Sequence, residues 1–439
     1  MVAIHTPYTV GLYTLGCKVS QYETEAVAEA FEAAGFELRS FDEACDVYVV
    51  NTCTVTAESD RKSRQIIRRA RKNNPDGIVM VMGCYSQRSP EDAARIDGVR
   101  AVIGNENKLS LVKIATELLN NERDTYLSVT DVSVADFEPM SIRRAERTRA
   151  YVKIEDGCEC RCTYCAIADA RGRVRSKPKD EVIREVEGLS ASGVREIVLT
   201  GIETGSYGRD FEDGYGLAEL LCELDERGSA ERIRLGSLAP ELIGKSFIEK
   251  VRDLKILAPH FHLSVQSGSD RVLRAMKRRY NRTQALDNIK MIRESIAGAA
   301  FTTDLMVGFP GETEEDFLDT VAFAREARFI DAHVFAYSRR AGTPAADYPD
   351  QVDEATKRRR SETLIKVCHE VRDEVLAELT LRGEPLSVIL ETYDGEAYAA
   401  HADNFAEVRV ESECPNLSGE MVKVAPVSNK NGIITARLI

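Results

Sequence analysis

No apolar run in this chain approaches the length needed to cross a bilayer. The N-terminus, MVAIHTPYTVG, also lacks the basic stretch and apolar core of a secretory signal. Both absences predict a soluble, cytoplasmic protein with no membrane partner. Internal repeats and low-complexity tracts are missing, which argues against a solenoid or a disordered array. Positive charge is not in excess either: 59 Lys and Arg stand against 72 Asp and Glu, a formal net charge of −13. That balance excludes a general nucleic-acid binder held by bulk charge.

Cysteine, by contrast, is plentiful, with eleven in 439 residues. In a reducing compartment such thiols serve metal ligation better than disulfides. Three of them, Cys17, Cys53 and Cys84, each stand where an apolar strand-like run ends: YTVGLYTLG, DVYVVNT and GIVMVMG. In an open parallel α/β sheet such ends gather at one edge, where these folds bind ligands. A second group lies in CECRCTYC, where Cys158, Cys162 and Cys165 have C-x3-C-x2-C spacing. One dispersed and one local triplet predict two metal clusters.

From Tyr8 to Leu127 short apolar runs alternate with helical stretches, which predicts a small parallel α/β sheet domain over 8–127. Ser20 followed by Glu23 reads as a capping box starting a helix over Gln21 to Ala34. A linker is predicted over 128–149, ending in the basic SIRRAERTRA. From 150 to 380 six strand-like runs separated by helices describe a partial (β/α)6 barrel, followed by a long charged helix. Residues 384–439 are short β-type runs broken by Gly, Asn, Asp and Pro, the pattern of a small antiparallel barrel or sandwich.

Thiolates hold iron–sulfur clusters, and three of them leave one iron of a four-iron cubane open to an exchangeable ligand. The spacing at Cys158 differs from ferredoxin spacing and lacks the paired C-x2-C knuckles of a zinc ribbon. A C-x1-C-x4-C set through Cys160 is the alternative; C-x3-C-x2-C is favoured because it needs no strained geometry. Tyr164, just before the last cysteine, is placed to present its ring to an adenine.

CECRCTYC in its first-strand context resembles the radical S-adenosylmethionine superfamily. The wider chain resembles its methylthiotransferases, which carry an N-terminal cluster domain, a radical barrel and a small C-terminal TRAM domain. TLGCKVSQYETE, NTCTVTAESDRKSRQ, GCYSQR, ARGRVRS, LTGIETGSYG, LSVQSGSDRVLRAMKR and GFPGETEEDF look most like the branch acting on tRNA N6-threonylcarbamoyladenosine beside the anticodon. The resemblance implies two 4Fe-4S clusters and S-adenosylmethionine as cofactors. Cys158, Cys162 and Cys165 would hold the cluster that binds and reductively cleaves S-adenosylmethionine to a 5′-deoxyadenosyl radical. Cys17, Cys53 and Cys84 would hold an auxiliary cluster carrying the sulfur inserted at C2 of the adenine. An electron donor such as flavodoxin or ferredoxin and a sulfur source are implied partners.

Strand-end placement with the resemblance makes Thr200, Gly201, Glu203, Ser237, Gln266 and Asp304 candidate cofactor contacts. Two departures stand out: the family's IIPYARG reads AIADARG here, and SLAPE replaces SLEPE, so Ala239 supplies no carboxylate. A tRNA anticodon stem-loop would be held through local basic patches. The favoured ones are Arg61, Lys62, Arg64, Arg68 and Arg69 beyond Cys53, and Arg171, Arg173 and Arg175 beyond Cys165; Lys277–Arg282 and Lys357–Arg360 add two more. The rival substrates are N6-isopentenyladenosine in tRNA and a ribosomal protein side chain, and the more distant rival is a non-enzymatic iron–sulfur carrier.

Overall fold

The computed structural model describes residues 7–145 and 148–439. The first six residues and the Glu146–Arg147 part of the expected linker lie outside the described residues.

The N-terminal unit is a six-stranded, all-parallel sheet. Its strands are β1 (Thr9–Thr14), β2 (Glu37–Arg39), β3 (Val47–Thr52), β4 (Ile78–Gly83), β5 (Val99–Ile103) and β6 (Tyr126–Ser128), in the order β2-β1-β3-β4-β5-β6. Every residue of β3 and β4 is buried, as expected of central strands covered on both faces. Helix α1 (Lys18–Ala33) and helix α2 (Ala57–Asn73) follow β1 and β3. The short edge strands β2 and β6 lack the apolar alternation that marks the others in the sequence.

The expected start of α1 needs correction. The helix begins at Lys18 with Cys17 at the N-cap, and no side chain caps it. Ser20 and Glu23 are both buried inside it. Glu23 turns away to the barrel, where it meets Arg171 and Lys153. A capping box does form at the helix Glu314–Ala327, where Asp316 N donates to Thr313 Oγ1.

Six parallel barrel strands follow: Arg149–Lys153, Glu196–Thr200, Arg232–Leu235, His260–Gln266, Ala300–Val307 and Asp331–Ala336. A bridge from Ile233 to Leu257 links the third strand to the segment leading into the fourth. The barrel is partial, and the N-terminal unit contacts both of its edges. On the first-strand side Lys153 Nζ meets Glu23 Oε1 at 3.1 Å. On the last-strand side Arg340 reaches Asp60 at 2.7 Å and Thr54 Oγ1 at 2.6 Å, and Ala57 N donates to Ser338 Oγ at 3.1 Å.

The segment expected as a linker is strapped down. Met140 and Ile142 are buried; Met140 O accepts from Tyr22 Oη at 2.6 Å and from Lys177 Nζ at 2.7 Å. The C-terminal unit is a closed five-stranded barrel with one parallel pairing, Glu407–Glu411 with Ile433–Leu438, among antiparallel ones. The ring of Phe405 from this unit stacks on His260 at 4.5 Å, and the Arg234 guanidinium lies 5.2 Å from the centroid of the same ring. No described helix is long and apolar enough to cross a membrane.

Candidate functional site

The strand registers carry Cys17, Cys53 and Cys84 to one edge. Thr14 pairs with Asn51, Asn51 with Met82, and Thr52 with Gly83, so β1, β3 and β4 end side by side with a cysteine following each. Gly16 has φ +118°, and a Cβ there would stand 3.3 Å from Cys53 Cβ. Gly83 has φ +99°, and a Cβ would meet Asn51 Oδ1 at 2.4 Å. Glycine at both positions lets the backbone turn sharply enough to present the thiols. Cys53 and Cys84 are buried, and Cys17 is exposed. Burial pushes the Cys53 thiol up to about 11 and raises Cys84 as well.

The second triplet follows the first barrel strand. Cys162 is buried, while Cys158 and Cys165 are partly so. Cys165 Sγ accepts from Ile167 N at 3.4 Å, and burial pushes its thiol up to about 11. Cys160 sits against Cys158: the hydrogen bond between their thiols raises Cys158 and draws Cys160 down to about 6.

Among the described residues no three His, Cys, Asp or Glu side chains close on one point, as a single-ion site would require. A cubane instead spreads its thiolates over separate irons, so two all-thiol triplets at loop ends suit clusters. A guanidinium faces each triplet: Arg171 Nε donates to Cys84 Sγ and Arg278 Nη1 to Cys162 Sγ, both at 3.2 Å. Cations on the sulfurs fit an anionic cluster.

The barrel mouth beside Cys158 is rich in buried carboxylate. Glu203 is buried, accepts from Ala239 N at 2.9 Å, and is pushed up to about 8 by that burial. Glu155 is fully buried and accepts from Glu203 N at 2.9 Å. Glu155 Oε1, Glu241 Oε2 and Gln266 Oε1 are buried among the described residues without a hydrogen-bond partner. Orphaned acceptors at one mouth fit the ammonium group of S-adenosylmethionine.

Of the expected cofactor contacts, Thr200, Gly201 and Glu203 end the second strand, Ser237 follows the third, and Gln266 ends the fourth with φ +73°. A Cβ at Gly201 would meet Glu155 Oε2 at 2.4 Å, so the glycine makes room for that carboxylate. Two candidates are otherwise engaged. Asp304 lies within its strand, pairing with His262 Nε2 at 3.2 Å and His333 Nδ1 at 3.3 Å. The Tyr164 ring packs with Val272, Met276, Phe309 and Tyr337. Sequence reasoning missed Glu155, Glu241 and Arg278; the first two carry no spacing signal, and Arg278 is masked within a basic run.

The basic patches divide sharply. Arg171 and Arg175 are buried in ion pairs with Glu23, Asp156 and Glu106, which closes them to phosphate and corrects the expectation for both. Lys357 and Arg360 are likewise buried, paired with Glu354 and Glu312. Arg173 is partly exposed against Asp136. On α2, Arg61 pairs with Glu58 and Arg69 with Asp42. Arg64, Arg68 and Lys72 instead line an open groove with Tyr85, directly after Cys84.

A partial parallel barrel with a thiol triplet after its first strand defines the class as a radical S-adenosylmethionine enzyme. The model described as Radical SAM superfamily matches residues 152–324, and that described as uncharacterized protein family UPF0004 matches residues 9–104. A radical S-adenosylmethionine methyltransferase, TsrM, from Kitasatospora setae shares the fold at TM-score 0.58 and 18% identity, over 77% of this chain and 75% of that one.

The chain is 41% identical to threonylcarbamoyladenosine tRNA methylthiotransferase MtaB of Bacillus subtilis over 95% of its length and 93% of that protein. It is 36% identical to tRNA-2-methylthio-N(6)-dimethylallyladenosine synthase of Thermoanaerobacter pseudethanolicus, over 86% and 81% respectively. The chain belongs to the methylthiotransferase family of radical S-adenosylmethionine enzymes, whose cofactors are 4Fe-4S clusters and S-adenosylmethionine.

Proposed function

We propose that this chain installs a methylthio group at C2 of N6-threonylcarbamoyladenosine beside the anticodon of tRNA. The reading rests on two thiol triplets at adjoining mouths, one on the sheet edge and one after the first barrel strand. The threonylcarbamoyl substrate is favoured over dimethylallyladenosine by the higher identity and wider coverage of the Bacillus subtilis relative named for it.

Cys158, Cys162 and Cys165 would hold the cluster at which S-adenosylmethionine binds, with Glu203 and Glu241 receiving its ammonium group. Bound there, the cofactor supplies radical chemistry at a C–H bond that resists polar attack. Cys17, Cys53 and Cys84 would hold the cluster that supplies sulfur. The protein's own part is to orient both groups and the base and to exclude water. The anticodon base must leave its stack to enter, while backbone phosphates rest on Lys62, Arg64, Arg68 and Lys72. An electron donor such as flavodoxin or ferredoxin and a sulfur source complete the system.

Mass spectrometry of tRNA nucleosides from cells lacking this protein tests the substrate. Loss of the methylthio mark on threonylcarbamoyladenosine is expected. Loss on isopentenyladenosine instead would move the assignment to the alternative tRNA substrate.

A further inference from the structure

Between the two triplets lie two five-residue helices packed on each other, Cys84–Arg88 and Ile167–Arg171. The first begins with a thiol of the sheet-edge triplet. The second starts two residues after Cys165 and ends in Arg171. All three guanidinium nitrogens of Arg171 are hydrogen-bonded, and its side chain is wholly buried. Nε donates to Cys84 Sγ at 3.2 Å; Nη1 reaches Glu23 Oε1 at 2.6 Å and Asp156 Oδ2 at 3.1 Å; Nη2 reaches Glu23 Oε2 at 3.1 Å. Asn105 Nδ2 binds Ala170 O at 2.7 Å and points a second, longer contact at Cys84 Sγ, 3.7 Å away.

An ion-pair network alone would need only the carboxylates. Here the same planar group spends its Nε on a cluster thiol, a geometry that lysine's single ammonium cannot reproduce. Its carboxylate partners come from both units, Glu23 from α1 and Asp156 from the barrel, so the guanidinium is held at Cys84 only when the units are docked.

We propose that Arg171 is a positioning residue for the sulfur-bearing cluster, orienting the Cys84 sulfur and setting the cluster's reduction potential. This rests on the reading that Cys17, Cys53 and Cys84 hold a cluster. Reduction adds negative charge, so a buried cation and a hydrogen bond at the sulfur favour the reduced state. Removing them makes the cluster harder to reduce.

The test uses the full chain with Cys158, Cys162 and Cys165 all changed to Ala, so that only the sheet-edge triplet can load. After anaerobic reconstitution, iron per chain is measured, and the cluster is titrated potentiometrically with its paramagnetic resonance spectrum as readout. Arg171→Gln is expected to shift the midpoint to more negative values and alter the spectrum, with Arg171→Lys shifting it less. Where loss of the guanidinium leaves Glu23 and Asp156 with the lysines alone and the protein unfolds, Arg171→Lys keeps the charge and still carries the test, because one ammonium cannot serve Cys84 and both carboxylates together and the spectrum should change.

An unchanged midpoint and spectrum in the loaded, folded variant would overturn the role of Arg171 alone. Failure of the parent triplet, with Arg171 intact, to load iron would remove the cluster itself, and the proposal with it.

Discussion

Arg278 donates from Nη1 to Cys162 Sγ at 3.2 Å while its Nη2 holds Ser264 O at 2.9 Å. The guanidinium also lies 5.1 Å over the Tyr280 ring, whose hydroxyl bonds back to Val265 O. The fourth barrel strand therefore fixes the arginine, and the arginine fixes the thiol. Outer partners of this kind commonly contribute about 10–100-fold to metal affinity or activity. Arg278→Gln is expected to reduce 5′-deoxyadenosine formation by a factor in that range, with iron in the sheet-edge triplet retained. A rate equal to wild type would show that the contact has no functional weight.

Separation of the triplets predicts separable losses. Cys162→Ala is expected to abolish reductive cleavage of S-adenosylmethionine. Cys53→Ala should spare cleavage and eliminate sulfur insertion, read as unmodified tRNA product. Equal loss of cleavage in both folded variants would contradict two functional clusters.

Cys160 gives a sharper test because its thiol rests on Cys158. Cys160→Ala should keep iron content near wild type. A deficit of about four irons per chain would mean that Cys160, rather than Cys158, is a ligand.

Much of this site is legible in the sequence because strand ends and thiols are local signals. The runs before Cys17, Cys53 and Cys84 are apolar, and the side-by-side ending of β1, β3 and β4 follows from parallel pairing. What the sequence hides is which charges pair across units. Arg171 and Arg175 look as solvent-facing as Arg64 or Arg68, yet their partners Glu23 and Glu106 are distant in the chain. The same holds for Ser20 and Glu23, whose capping pattern yields to burial at the domain contact. Glu155 and Glu241 become notable only when the mouth closes around them.

Glu203 carries a pH consequence. Burial raises its carboxyl from the ordinary 4.5 to about 8. The folded chain without cofactor thus favours the protonated form, so the stability this group contributes is full below pH 4.5 and lost as pH rises to about 8. Thermal melts of the cofactor-free chain should show Glu203→Gln gaining on wild type between pH 5 and pH 8. No gain over that interval would place Glu203 in a solvated setting. In the presence of S-adenosylmethionine the order should reverse at pH 8, since the glutamine offers no charge to the ammonium group.

The groove on α2 offers the last and most quantitative test. Arg64, Arg68 and Lys72 line it beside Tyr85, whereas Arg61 and Arg69 are already neutralised by Glu58 and Asp42. Phosphate contacts release counterions, and each lost contact lowers the salt dependence of binding by about 0.7–0.9 in log–log slope. Arg68→Gln and Lys72→Gln should each weaken binding of an anticodon stem-loop and reduce that slope by about one contact's worth. Arg61→Gln and Arg69→Gln should do much less. Fluorescence anisotropy across a salt series reads all four variants. Equal effects from all four variants would mean that the RNA follows another surface.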